Sequence, residues 1–85
     1  MQRADVYKLI DGERDYQDSL GPDRRLPSEV PHSVGDYLVM LDTYLRKAKN
    51  AWTYCPGVTA ALDQIRKIGA IAVHCMEDHE APPRA

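Results

Sequence analysis

Residues 34–54, with the sequence VGDYLVMLDTYLRKAKNAWTY, decide the fold of this chain. Apolar side chains recur there at alternating spacings of four and three residues, which is the heptad pattern of a helix packed along a neighbour. A second apolar stripe lies beside the first, so the helix should contact more than one neighbour, within the chain or across subunits. Ser33 is a favourable N-cap, and Asp36 falls near the positive end of the helix dipole. The heptad positions are Val34, Leu38, Leu41, Leu45, Ala48 and Trp52, and the second stripe is Tyr37, Met40, Tyr44 and Ala51.

Two further helices are predicted on either side of this one. The first covers about residues 4–20 and has a thin apolar stripe that ends at the breaker Gly21-Pro22. The third covers about residues 59–79 and begins after Pro56-Gly57. Small residues from Gly69 onwards would let another helix approach it closely. Its predicted packed face comprises Ala61, Leu62, Ile65, Ile68, Ala72 and either Cys75 or Met76.

These elements predict an all-α fold in one domain, residues 1–85. Helices two and three should form a long antiparallel hairpin with helix one packed across it. Residues 21–33 are expected to be a linker, and residues 80–85 a flexible tail. A chain of 85 residues buries only about 60% of its unfolded surface, so a partner subunit should add stability. We therefore expect a homo-oligomer, a dimer or larger.

Composition excludes several classes of function. The net charge of −2 argues against a general DNA-binding or RNA-binding protein, although a small anionic ligand needs only a local positive cluster. No apolar run is long enough for a membrane span, and the first residues do not form a secretion signal. Cys55 and Cys75 fit no zinc spacing and indicate a reduced, cytoplasmic protein.

Three short segments supply candidate ligand contacts. Residues 13–18 (ERDYQD) place Arg14 and Tyr16 on helix one, where they either meet phosphate and base or belong to a solvated face with i,i+4 ion pairs. Arg24-Arg25 in the linker offers a guanidinium fork, or an exposed charged loop. Arg66-Lys67 on helix three is expected either to bind an anion or to provide solubility. His74 and His79 do not share a helix face well, which favours solvated or core histidines.

The order of three segments carries a family resemblance. Residues 13–18 precede a proline-rich linker, and HSVGD at 32–36 and IGAIAV at 68–73 follow it. This order resembles small phage and bacterial MazG-like proteins, which are all-α nucleoside triphosphate pyrophosphohydrolases that hold magnesium with acids on two helices. On the first acidic motif this chain offers His32, Ser33 and Asp36, and on the second it offers Gln64 and Lys67.

The lost acids imply a protein that binds nucleotide without metal-assisted hydrolysis, because an ammonium such as that of Lys67 can meet phosphate oxygens directly. A looser likeness points the same way. Small helical phage proteins act as sponges for the cyclic nucleotide signals of bacterial immunity, and their oligomers combine tyrosine stacking with lysine or arginine contacts. The chain has their size and helix content but shares no distinctive motif with them.

The sequence thus predicts a non-catalytic protein that sequesters a nucleotide or cyclic nucleotide, as a phage anti-defence sponge would, with no metal or other cofactor. Two alternatives stay open. One is a divergent MazG-like pyrophosphohydrolase that uses Asp36 with His32. The other is a protein-interaction module that inhibits a host protein through helix two. The candidate ligand contacts are Arg14, Tyr16, Arg24, Arg25, His32, Asp36, Tyr37, Arg66 and Lys67.

Overall fold

A computed structural model of the chain describes residues 1–20, 32–54 and 57–84. These residues form three α-helices and no strand, which confirms the all-α prediction: α1 is Arg3–Ser19, α2 is Val34–Tyr54 and α3 is Val58–His79. The sequence predicted helices at about 4–20, 34–54 and 59–79. The predicted linker, residues 21–33, lies outside the described residues except for 32 and 33, as does residue 85 of the predicted tail.

Reciprocal hydrogen bonds fix the start of α2. The Ser33 backbone N–H donates to the Asp36 carboxylate over 2.9 Å, and the Asp36 backbone N–H donates to Ser33 Oγ over 3.1 Å. This capping arrangement satisfies two backbone donors at the start of the helix. At the other end of the hairpin, α3 begins after Gly57, whose backbone is extended. It ends at His79, and the following residue, Glu80, has a left-handed φ of 49° that closes the helix before Pro82.

α3 is the central element of the fold. Both α1 and α2 pack against it, and within the described residues they do not pack against each other. Tyr37 near the start of α2 contacts Asp78 near the end of α3, so these two helices run antiparallel. The buried apolar side chains of the described residues are Tyr37, Ala48, Ala70 and Ile71.

α1 crosses α3 at a steep angle. Neighbouring side chains of α1, Glu13 and Arg14, bond to Arg66 and Glu77, which lie about 16 Å apart along α3. Near the crossing, a Cβ at Gly69 would lie only 3.2 Å from Cδ1 of Ile10. A side chain at position 69 would therefore require Ile10 to shift by a few tenths of an ångström.

The heptad positions predicted on α2 are divided between the core and the solvent. Ala48 is buried and Leu41 is half-buried, whereas Leu38 and Trp52 are 60% and 61% exposed. The second stripe makes the closer contact, with Tyr37 buried and its other members half-buried. α2 is therefore rotated so that the edge between its two stripes, and not the centre of the heptad stripe, faces α3.

Candidate functional site

Arg14 lies in the contact between α1 and α3. Its side chain is only 8% exposed, and its guanidinium donates to both carboxylate oxygens of Glu77 over 2.9 and 3.1 Å. Gln17 and Asp18 accept further bonds from the same group, each over 3.1 Å. These carboxylates raise the pKa of Arg14 further above its usual range. The structure thus gives this predicted phosphate contact a set of partners within the chain.

The Arg14–Glu77 pair should make the fold sensitive to acid. The bonds from Arg14 hold the pKa of Glu77 below its ordinary value of 4.5. A carboxyl group with a lowered folded pKa stabilises the fold above the unfolded pKa, and this contribution is lost as the pH falls through the folded pKa. We therefore expect Arg14→Met to cost about 1–2 kcal/mol at neutral pH, at the lower end for a charged hydrogen bond because Glu77 is half exposed.

Urea unfolding at a series of pH values checks this expectation. The stability difference between wild type and Arg14→Met should narrow as the pH falls from neutral through the acid range of Glu77. Arg46→Met is the matched control, since the Arg46–Asp42 pair is exposed on both sides and should contribute less than about 0.5 kcal/mol. An Arg14→Met cost that stays constant at all pH values would contradict the role of the pair.

Arg66 and Lys67 also have acidic partners. Arg66 donates to Glu13 over 3.0 Å and to Asp63 over 2.5 Å, and Lys67 Nζ lies 3.3 Å from Asp63. These bonds lower the pKa of the Asp63 carboxyl, chiefly through Arg66. About a third of each basic side chain remains exposed. Both are therefore reachable by an anion, which would have to compete with the carboxylates.

Tyr16 is a predicted contact that is accessible on α1. Its side chain is on the outer side of α1 and is 59% exposed. Arg24 and Arg25, which follow α1 in the sequence, lie outside the described residues. Tyr16 is therefore the one aromatic candidate with a ring open to stacking, because Tyr37 is only 1% exposed.

Tyr37 is the centre of an aromatic cluster where the start of α2 meets the end of α3. The rings of His32, His74 and His79 approach it edge-on, with centroids 5.7, 5.5 and 6.1 Å away. The Tyr37 hydroxyl donates to Asp78 over 2.5 Å. The chain has three histidines in all, so every one of them packs against this single ring.

One hydrogen bond and two longer polar contacts connect the members of the cluster. His79 Nε2 lies 2.7 Å from the carbonyl oxygen of His32, and since a carbonyl only accepts, this nitrogen carries the proton. His74 Nε2 lies 3.6 Å from Asp78, and His32 Nδ1 lies 3.9 Å from Asp36. Hydrogen bonds from Ser33 lower the pKa of Asp36. The cluster fastens the residues before α2 to the end of α3.

The candidate residues do not share one groove. His32, Asp36 and Tyr37 lie together, but Lys67 is about 16 Å along α3 from the Asp78 that Tyr37 contacts. The sequence missed the convergence of the histidines, because residue 32 is far from the other two in the chain. The antiparallel hairpin was the one available signal, since it brings the first turn of α2 beside the last turn of α3.

A row of apolar side chains on α2 is open to solvent. Leu38, Leu45 and Trp52 are spaced seven residues apart, so they fall within about 40° of one another around the helix. Their exposed fractions are 60%, 46% and 61%, and Val34 extends the row with 47%. We refer to these four residues as the α2 row. Apolar side chains that recur every seven residues on an open helix face are typical of helices that pack against another helix.

The described part of the chain contains no helix of the length and apolar character that membrane crossing requires. Nor do His, Cys, Asp and Glu side chains of residues 1–20, 32–54 and 57–84 gather in threes in a way that could hold a metal ion. The chain matches no protein-family model, no curated protein and no solved structure.

Proposed function

We propose that this chain is a helical binding protein that works as a homo-oligomer through its exposed apolar side chains. The observation that carries the proposal is the imbalance between core and surface. Among the described residues, four apolar side chains are buried, whereas fifteen large hydrophobic side chains are exposed. A single chain of this kind gains little from the hydrophobic effect, and a second copy would cover part of the exposed set.

Native mass spectrometry of purified protein tests the proposal. We expect a species whose mass is at least twice the 9.6 kDa of one chain, and a whole multiple of it, at micromolar concentration. A single-chain mass at every accessible concentration would contradict it. A stoichiometric complex with an unrelated protein, and no self-association, would instead support the interaction module that inhibits a host protein.

Nucleotide or cyclic-nucleotide capture is the second function that we propose. Its support is the exposed ring of Tyr16, which the sequence places shortly before Arg24 and Arg25. Base stacking on an aromatic ring contributes about 1–3 kcal/mol per base. Calorimetry against cyclic dinucleotides, cyclic trinucleotides and nucleoside triphosphates should show binding that Tyr16→Ala weakens at least several-fold. The absence of micromolar binding to any of them would contradict this function.

A further inference from the structure

We propose that two copies associate through the α2 row in an antiparallel arrangement, with a two-fold axis beside Leu45. This inference rests on the proposed oligomer and names its surface and its partner, a second copy of this chain. The spacing of the row is the first argument. In an antiparallel pair centred on Leu45, the two Leu45 side chains meet, and each Leu38 lies opposite the partner's Trp52. An isologous two-fold contact of this kind is the commonest form of oligomer.

The charge distribution along α2 is the second argument. Acidic residues Asp36 and Asp42 lie in its first half, and Arg46, Lys47 and Lys49 lie in its second half. An antiparallel partner places each acidic half beside a basic half, whereas a parallel partner places like charges together. Complementary charge favours the first arrangement and disfavours the second.

One charged pair fits this geometry closely. Asp42 and Lys49 border the α2 row on the same side of the helix, about 20° apart around its axis. Their midpoint along the helix lies half a residue from Leu45. In an antiparallel pair, matching flanks of the two helices face each other. Each Asp42 would therefore lie within about 2 Å, measured along the axis, of the Lys49 position on the partner.

Both residues are available for this contact. Lys49 is exposed. Asp42 is more than half exposed and bonds to Arg46 one turn later, which leaves its other carboxylate oxygen for a second cation. The surface is thus apolar in its centre and charged on its rim, as protein interfaces commonly are. No rearrangement of α3 is needed, because the row lies beside the edge of α2 that α3 covers.

Cysteine cross-linking tests the two-fold axis. In a Cys55→Ser/Cys75→Ser background, Leu45→Cys should form a covalent dimer under mild oxidation by copper–phenanthroline. Packed helix axes are about 8–10 Å apart, which brings facing Cα atoms to about 4–6 Å, within disulfide range. Thr43→Cys is the control, because Thr43 is exposed on the opposite side of the same helix and should not cross-link.

Charge reversal supplies a second measurement on the uncross-linked protein. Asp42→Lys should raise the dimer Kd by roughly tenfold, because two attractive pairs become repulsive. Adding Lys49→Asp should restore most of the affinity. The proposed α2 geometry alone would be overturned if the protein still formed an oligomer but cross-linking at positions 45 and 43 were equal or absent. The same holds if Lys49→Asp failed to restore the affinity that Asp42→Lys removes. A wild-type protein that remains a single chain would overturn both this inference and the proposed oligomer.

Discussion

Replacing Tyr37 by alanine is expected to destabilise the fold by about 3–5 kcal/mol, the range for removing a buried aromatic side chain. Tyr37 is 1% exposed, three histidine rings pack around it, and its hydroxyl donates to Asp78. The loss would leave a cavity where α2 and α3 meet and would remove the hydrogen bond to Asp78. Small domains have about 5–15 kcal/mol of stability in total, so Tyr37→Ala should remove a large fraction of it and lower the urea midpoint accordingly. Urea unfolding followed by circular dichroism measures the change.

Two further variants separate the effect of losing the ring from the effect of losing the hydroxyl group and from the change in helix propensity. Tyr37→Phe keeps the ring and should cost about 1–2 kcal/mol, the usual effect of one lost hydrogen bond. Tyr16→Ala makes the same exchange on an exposed helical position and should change stability by less than about 0.5 kcal/mol. Equal effects of Tyr37→Ala and Tyr16→Ala would show that the cluster around Tyr37 does not hold the hairpin.

Ile71→Ala is expected to have the second largest effect, about 2–5 kcal/mol. Ile71 is 4% exposed on the central helix, next to the fully buried Ala70. Truncation there removes contacts from the core that α1 and α2 share through α3. The cost should appear as a lower urea midpoint with little change in the slope of the transition.

Ile65→Ala is the matched control on the same helix. Ile65 is 52% exposed, so the same truncation should cost less than about 1 kcal/mol in the folding of one chain. The contrast is informative because helical periodicity placed Ile65, and not Ile71, on the packed face of helix three. A larger loss from Ile65→Ala than from Ile71→Ala would mean that the packing of α3 is different from that described.

The sequence was sufficient for the helices and for the cap of α2, because these depend on local features such as Ser33, Asp36 and apolar spacing. It was not sufficient for the rotation of each helix about its own axis. Two apolar stripes on α2 allow two orientations, and only packing against α3 selects the one that buries Tyr37 and exposes Leu38. Periodicity cannot make this choice when two apolar stripes lie side by side on one helix.

Local sequence patterns could not predict the long-range ion pairs either. The sequence could suggest the Arg14–Asp18 pair, which is one helical turn long, and the structure contains it. It could not suggest Glu77 as the main partner of Arg14, because that contact depends on the steep crossing of α1 over α3. The candidate cations were recognised as charged side chains on helices, but their partners depend on how the helices cross.

The dependence of unfolding on protein concentration tests the central claim most directly. If a second copy completes the small core of this chain, association stabilises the folded state by mass action. The urea midpoint should then rise steadily over about a hundredfold range of chain concentration, as a linked dimer requires. A midpoint that stays the same across that range would show that one chain folds and is stable alone, and would contradict the account.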